Sequence, residues 1–246
     1  VFGALFALLA AACWATLWLW SASPYARYLE HPGWADAAGF AAFCRAVAVP
    51  AAAHSAAWVL MIAAMMLPTT YPLLAMFRRV TAGRADGGRL VARVVLGFLA
   101  VWLAFGVVAY GIDAAVRAAA LRSDWVLLHG WAIGAAALAG AGLFQFSALK
   151  YRCLEQCQAP FSFVAARWHG ARPGAEALRI GIDHGLFCVG CCWALMLVMF
   201  VVGMGNVGWM LLLAAVMAAE KNLPLGRRLA VPIGIALLGS AMVLAA

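Results

Sequence analysis

Long apolar runs, separated by short basic stretches, fill most of the 246-residue chain. The runs are continuous rather than alternating, which predicts membrane-crossing α-helices and excludes a closed β-barrel. Seven spans are predicted, at 1–20, 54–77, 90–116, 126–147, 181–204, 207–219 and 229–246. The sixth is short for a bilayer and follows the turn Gly203-Met204-Gly205-Asn206, so the fifth and sixth are expected to form a tight helical hairpin. The first lacks a basic flank and a small-residue cleavage site, so it reads as a membrane helix rather than a signal peptide. Residues 34–43 suit a short helix lying in the outer interface, with an anchoring role. No Pro-rich or Ser-rich linker divides the chain. The expected architecture is an all-α polytopic transmembrane helical bundle of about seven spans, one integral membrane domain over 1–246.

Composition narrows the partners. At 67% hydrophobic and 11% charged residues, the chain is not a soluble globule. Its net charge of +8 comes with no nucleic-acid-binding motif, so the partner it implies is the lipid bilayer and not nucleic acid. Thirteen of the basic residues fall in the second, fourth and sixth connections, and only Arg27, Arg45, Arg117 and Arg122 in the first and third. The positive-inside rule then puts the even connections in the cytoplasm and the C-terminus outside. Asp113 is expected toward the outer face, in contact with solvent.

The cysteines bring in chemistry. Cys153 and Cys157 lie in the cytoplasmic connection 148–180, and Cys188, Cys191 and Cys192 open the fifth span, with His184 one turn upstream. In a reducing compartment, thiols so grouped bind metal or cycle redox state rather than forming a permanent disulfide. Cys188, Cys191 and Cys192 share one helix face, which His184 extends, and a helix N-terminus beside them would favour thiolate. Cys153 and Cys157 share a face of a short helix, so the two groups can meet. Together they are more donors than a four-coordinate site uses. Cys13 and Cys44 read as small apolar residues.

Below the thiols, Cys188, Cys192, Met196 and Met199 continue one stripe, and the second span carries His54, Met61 and Met65, with Met66 beside them. Thiolate with thioether favours Cu(I); thiolate with imidazole alone suits Zn(II), and an Fe–S site is a further alternative. The methionines read equally as core filler. Pro68 and Pro72 break the second span, a device often found near sites within membranes. Supporting roles fall to Glu220, Lys221, Asp183, Gln145 and Lys150: Glu220 pairs with Lys221 or serves as a ligand, Asp183 orients an imidazole, and Gln145 bonds another helix or touches the ion.

Met65-Met66-x-Pro68, Gln145-x4-Lys150-x2-Cys153-Leu154-x2-Cys157-x2-Pro160 and Gly181-x2-His184-Gly185-x2-Cys188-x-Gly190-Cys191-Cys192-Trp193-x2-Met196, then Glu220-Lys221, resemble the bacterial family of predicted metal-binding integral membrane proteins of unknown function (domain of unknown function 2182). The resemblance covers roughly residues 54 to 225. It implies a bound metal and a bacterial inner membrane, without saying which metal or why. HExxH, GxSxG, phosphate-loop and dinucleotide motifs are absent, which disfavours an enzyme. The reading adopted is a soft-metal protein, most simply for copper, that transports the ion or delivers it to another membrane protein or metalloenzyme. Its alternatives are a membrane thiol–disulfide or metal-dependent redox enzyme, and an accessory subunit of a larger complex with a structural metal.

Overall fold

A computed structural model describes residues 2–24, 51–202 and 206–245, and every regular element among them is helical. The interfacial helix expected at 34–43, and Cys44, lie outside the described residues. The helices are α1 (Phe2–Ser21), α2 (Ala51–Met65), a 3-10 turn (Pro68–Thr70), α3 (Tyr71–Val80), α4 (Gly87–Ala120), α5 (Asp124–Leu128), α6 (Gly130–Phe144), α7 (Ala148–Gln158), α8 (Pro160–Ala165), α9 (Pro173–Val202), α10 (Val207–Asn222) and α11 (Gly226–Ala245).

Four of these are long and apolar enough to cross a membrane, α1, α4, α9 and α11, and up to six crossings result if each bent pair is one span. The expected count of about seven is therefore approximate. The sixth expected span is the 16-residue α10, only about 24 Å long against a hydrocarbon core of about 30 Å. The bent pairs are α2 with the Pro68–Val80 segment, at 44°, and α6 with α7, at 63°.

The first break has the expected cause. Pro68 has no N–H, so the helix tightens into a 3-10 turn, and the hydroxyls of Thr69 and Thr70 donate to the carbonyls of Met66 and Leu67, both at 2.7 Å. The second break has no proline. There Ser147 takes an extended conformation and its hydroxyl accepts from the Lys150 N–H, capping a new helix, α7.

Helix α9 is the central element: 56% of its apolar window is buried, against 11% for α1 and 17% for α11, whose outer faces are apolar and open. It lies along α4, and glycines set the separation. A Cβ at Gly97 would meet the Leu178 carbonyl oxygen at 2.5 Å, and one at Gly181 would clash with the Val94 carbonyl. Helix α9 also begins two turns earlier than hydropathy indicated, at Pro173, and Cys188 lies about 22 Å along it. The thiols therefore do not sit at a helix N-terminus. The dipole, which fades within the first turn, does not explain any thiolate there. Asp113 also departs from expectation, being buried on α4 and paired with Arg117 at 3.4 Å.

Candidate metal site

Both breaks and the two cysteine groups come together around the middle of α9. On α7, Lys150, Cys153 and Cys157 are spaced i, i+3, i+7 and share the face turned to α9. Cys153 is buried with its sulfur against Gly190, where a Cβ would lie 2.5 Å from Sγ, so glycine lets α7 close on α9. Cys157 Sγ lies 4.0 Å from Cys191 Sγ, and Cys191 Sγ lies 3.3 Å from Cys192 Sγ. Cys188 and Cys192 lie one turn apart on α9 and are both buried. The six described cysteines are free thiols.

Two buried lysines border this cluster. Lys150 Nζ donates to both oxygens of Glu220, at 2.7 and 2.9 Å, and to Gln145 Oε1. Gln158 Nε2 donates to the Glu220 carbonyl at 2.6 Å, tying the end of α7 to α10. Lys221 Nζ donates to Cys188 Sγ at 2.8 Å, to Thr69 Oγ1 at 3.2 Å and to Met66 Sδ at 3.9 Å. Each ammonium thus uses its three donors, which buried charge requires. The expected Glu220–Lys221 pair does not form, because successive helix residues point about 100° apart and meet different partners.

Other expectations change as well. Asp183 does not orient His184; it accepts from Arg167 Nε at 2.9 Å, with Arg179 at 3.9 Å. His184 is buried between Phe98 and Phe163, with Nδ1 unpartnered among the described residues. Gln145 is fully buried at the second break and bonds Lys150, its Nε2 having no partner among the described residues. His54 lies in the first turn of α2, at the opposite end from the Pro68 break, stacked on Trp58 and tilted against Tyr110, with Nε2 unpartnered among the described residues. Met61, Met65, Met196 and Met199 are buried, but the thioether beside Lys221 is Met66. Sequence reasoning missed Thr69, although a threonine next to a proline break is a recognisable signal, and it missed buried Met217 on α10. The six expected ligands do not converge on one point: among the described residues, no three His, Cys, Asp or Glu side chains are grouped to hold a metal ion as they stand.

The donor chemistry nevertheless fits a soft ion. Two sulfurs on one ion, at roughly 2.3 Å and 109–120° apart, lie about 3.8–4.0 Å from each other, close to the Cys157–Cys191 separation. A family model described as PpoB2, copper chaperone, matches residues 55–244. The chain belongs to the PpoB2 copper chaperone family. That match corrects the resemblance drawn from the cysteine motifs: they lie inside the matched range, but the family is this one and not domain of unknown function 2182. Membership relates the chain to copper. No curated protein and no solved structure matches it.

Proposed function

We propose that this PpoB2 family member is a membrane-embedded chaperone that holds Cu(I) on thiolates of the cluster formed by Cys153, Cys157, Cys188, Cys191 and Cys192, and passes it to a partner protein. The observation that carries the reading is the approach of Cys157 and Cys191 from two different helices to 4.0 Å, with Cys192 a further 3.3 Å on. Thiols that are close but not caged suit a cargo ion, which must leave as well as bind. Cu(I) is satisfied by few soft ligands, whereas a structural Zn(II) takes a closed set of four.

Buried Met66, Met196 and Met199, then Met61, Met65 and His54, supply thioether and imidazole along the same bundle, and we read them as the approach or departure path. Lys150, Glu220, Gln145 and Lys221 position the thiol-bearing helices. Asp183, paired with arginines, and His184, among aromatic rings, stand further out. We read the cluster as facing the cytoplasmic side of a bacterial inner membrane, where thiols stay reduced; the concentration of basic residues in the even connections supports that side. A family described by chaperoning favours delivery to another protein over transport alone.

The test is copper content. Protein purified anaerobically from its own membrane should retain about one Cu(I) per chain, with sulfur ligands by X-ray absorption, and Cys188→Ser/Cys191→Ser should retain less than about a tenth of that. Wild-type protein that takes up no copper under reducing conditions removes the proposal.

A further inference from the structure

We propose that Lys221 determines which ions the thiol cluster accepts, its fixed ammonium favouring a monovalent soft ion over a divalent one. The inference rests on the copper reading and adds to it a residue that sets selectivity without binding the metal.

Lys221 is buried, and its three donors go to Cys188 Sγ, Thr69 Oγ1 and Met66 Sδ. Of those acceptors, only the cysteine sulfur can carry negative charge. Glu220, the neighbouring carboxylate, has both oxygens on Lys150. Lys150 and Glu220 therefore cancel, and Lys221 remains as one uncompensated positive charge against the sulfurs.

The segment at the helix break supplies two of its three partners. Met66 and Thr69, three residues apart across the Pro68 break, both turn toward α10 and meet the ammonium.

A low-dielectric interior penalises net charge, so the complex that forms best is the one closest to neutral. Cys188 touches the ammonium, and Cys192 lies one helical turn further along the same face, also buried. A monovalent ion on two thiolates carries one negative charge, which Lys221 neutralises. A divalent ion on the same two thiolates is already neutral, leaves Lys221 unbalanced and is repelled by it twice as strongly. A third thiolate would restore neutrality for the divalent ion, so the preference belongs to a site in which two sulfurs take the ion. At an effective dielectric of about 20 and about 5–6 Å, one extra unit of repulsion disfavours the divalent ion on the order of a hundredfold.

The experiment uses the full chain in lipid nanodiscs under reductant. Cu(I), Ag(I) and Zn(II) are each titrated against competing chelators for wild type, Lys221→Met, Lys221→Arg and Thr69→Asp, the last placing a carboxylate beside the ammonium. Expected is a gain of roughly tenfold or more in Zn(II) affinity relative to Cu(I) and Ag(I) for Lys221→Met and Thr69→Asp, with Lys221→Arg within about threefold of wild type. A folded Lys221→Met or Thr69→Asp whose ratio stays within about threefold of wild type overturns the role of Lys221 and leaves the copper reading standing. So does a Lys221→Arg variant that shifts as far as Lys221→Met. Should Lys221→Met fail to fold, Thr69→Asp decides, and X-ray absorption of the wild-type Cu(I) form does so without any variant: two sulfurs support the inference and a shell of three or more overturns it. Wild type that binds neither Cu(I) nor Ag(I) removes the copper reading, and this inference with it.

Discussion

Lys150 and Glu220, exposed to 0% and 1%, are a buried ion pair whose every hydrogen-bonding group is taken up by Gln145, Gln158 and one another. Such a pair adds little over a well-packed apolar pair, but removing one member strands the other's charge. Lys150→Met alone is therefore expected to destabilise the protein by about 3–5 kcal/mol, and Lys150→Met/Glu220→Met to regain most of that loss. Thermal unfolding in one detergent, followed by tryptophan fluorescence, checks both; a double variant no more stable than the single one would show that the pair is not the cause. Spacing made part of this arrangement legible, since Lys150, Cys153 and Cys157 fall on one helix face by arithmetic alone. The partner of Glu220 was not legible, because the choice between Lys221 next to it in sequence and Lys150 seventy residues away is made by tertiary packing. The same holds for Asp183, which lies beside His184 in sequence and turns to Arg167 in space.

At the scale of elements, hydropathy located the membrane-facing portions of the helices better than the helices themselves. Helix α9 extends back to Pro173 because Glu176 takes the N–H groups of His169, Gly170 and Arg172, ordering a polar first turn that no apolar run announces. The break at Pro68 was readable from proline, whereas the break at Gln145–Ser147 shows only a serine cap, which is common in unbroken loops. Glycines were readable as packing residues in general but not in their individual roles. Gly181 sits against the Val94 carbonyl, while Gly140 has nothing within 4 Å of where a Cβ would be. Gly181→Val should force α4 and α9 apart at a cost of about 1–3 kcal/mol, lowering thermal stability and reducing copper retention together, because α9 carries three of the cysteines. Gly140→Val should leave both unchanged. Equal losses in the two variants would mean that side-chain volume at this crossing does not control the site.

For the whole molecule, ring contacts place the bent pairs. Phe2 at the start of α1 stacks on Tyr71, with the Arg78 guanidinium 4.5 Å from its ring, so the first helix begins alongside α3. Phe77 meets Trp168 edge-on at 4.9 Å, which puts the connection after α3 on the same side as the one between α8 and α9. If α6–α7 were a re-entrant loop, α4 would separate Phe77 from Trp168. The α6–α7 pair is therefore read as a broken span that returns the chain to the side of Phe77. Helix α10 then runs back along α9 far enough to bring Lys221 level with Cys188, despite its 16 residues. In this arrangement the connections at 81–86 and 166–172 share one face and the turn at Arg122 lies on the other, and the basic bias predicts that the first face is cytoplasmic. Arg84→Cys and His169→Cys, at exposed positions, should react with a membrane-impermeant maleimide in inside-out vesicles and not in intact cells, and Arg122→Cys in intact cells only, each above the signal of the unsubstituted chain. Labelling of Arg84→Cys and His169→Cys from opposite sides would refute the broken-span topology. Labelling of both from outside would keep the topology and invert the orientation, placing the thiols where they would meet copper before the cytoplasm does.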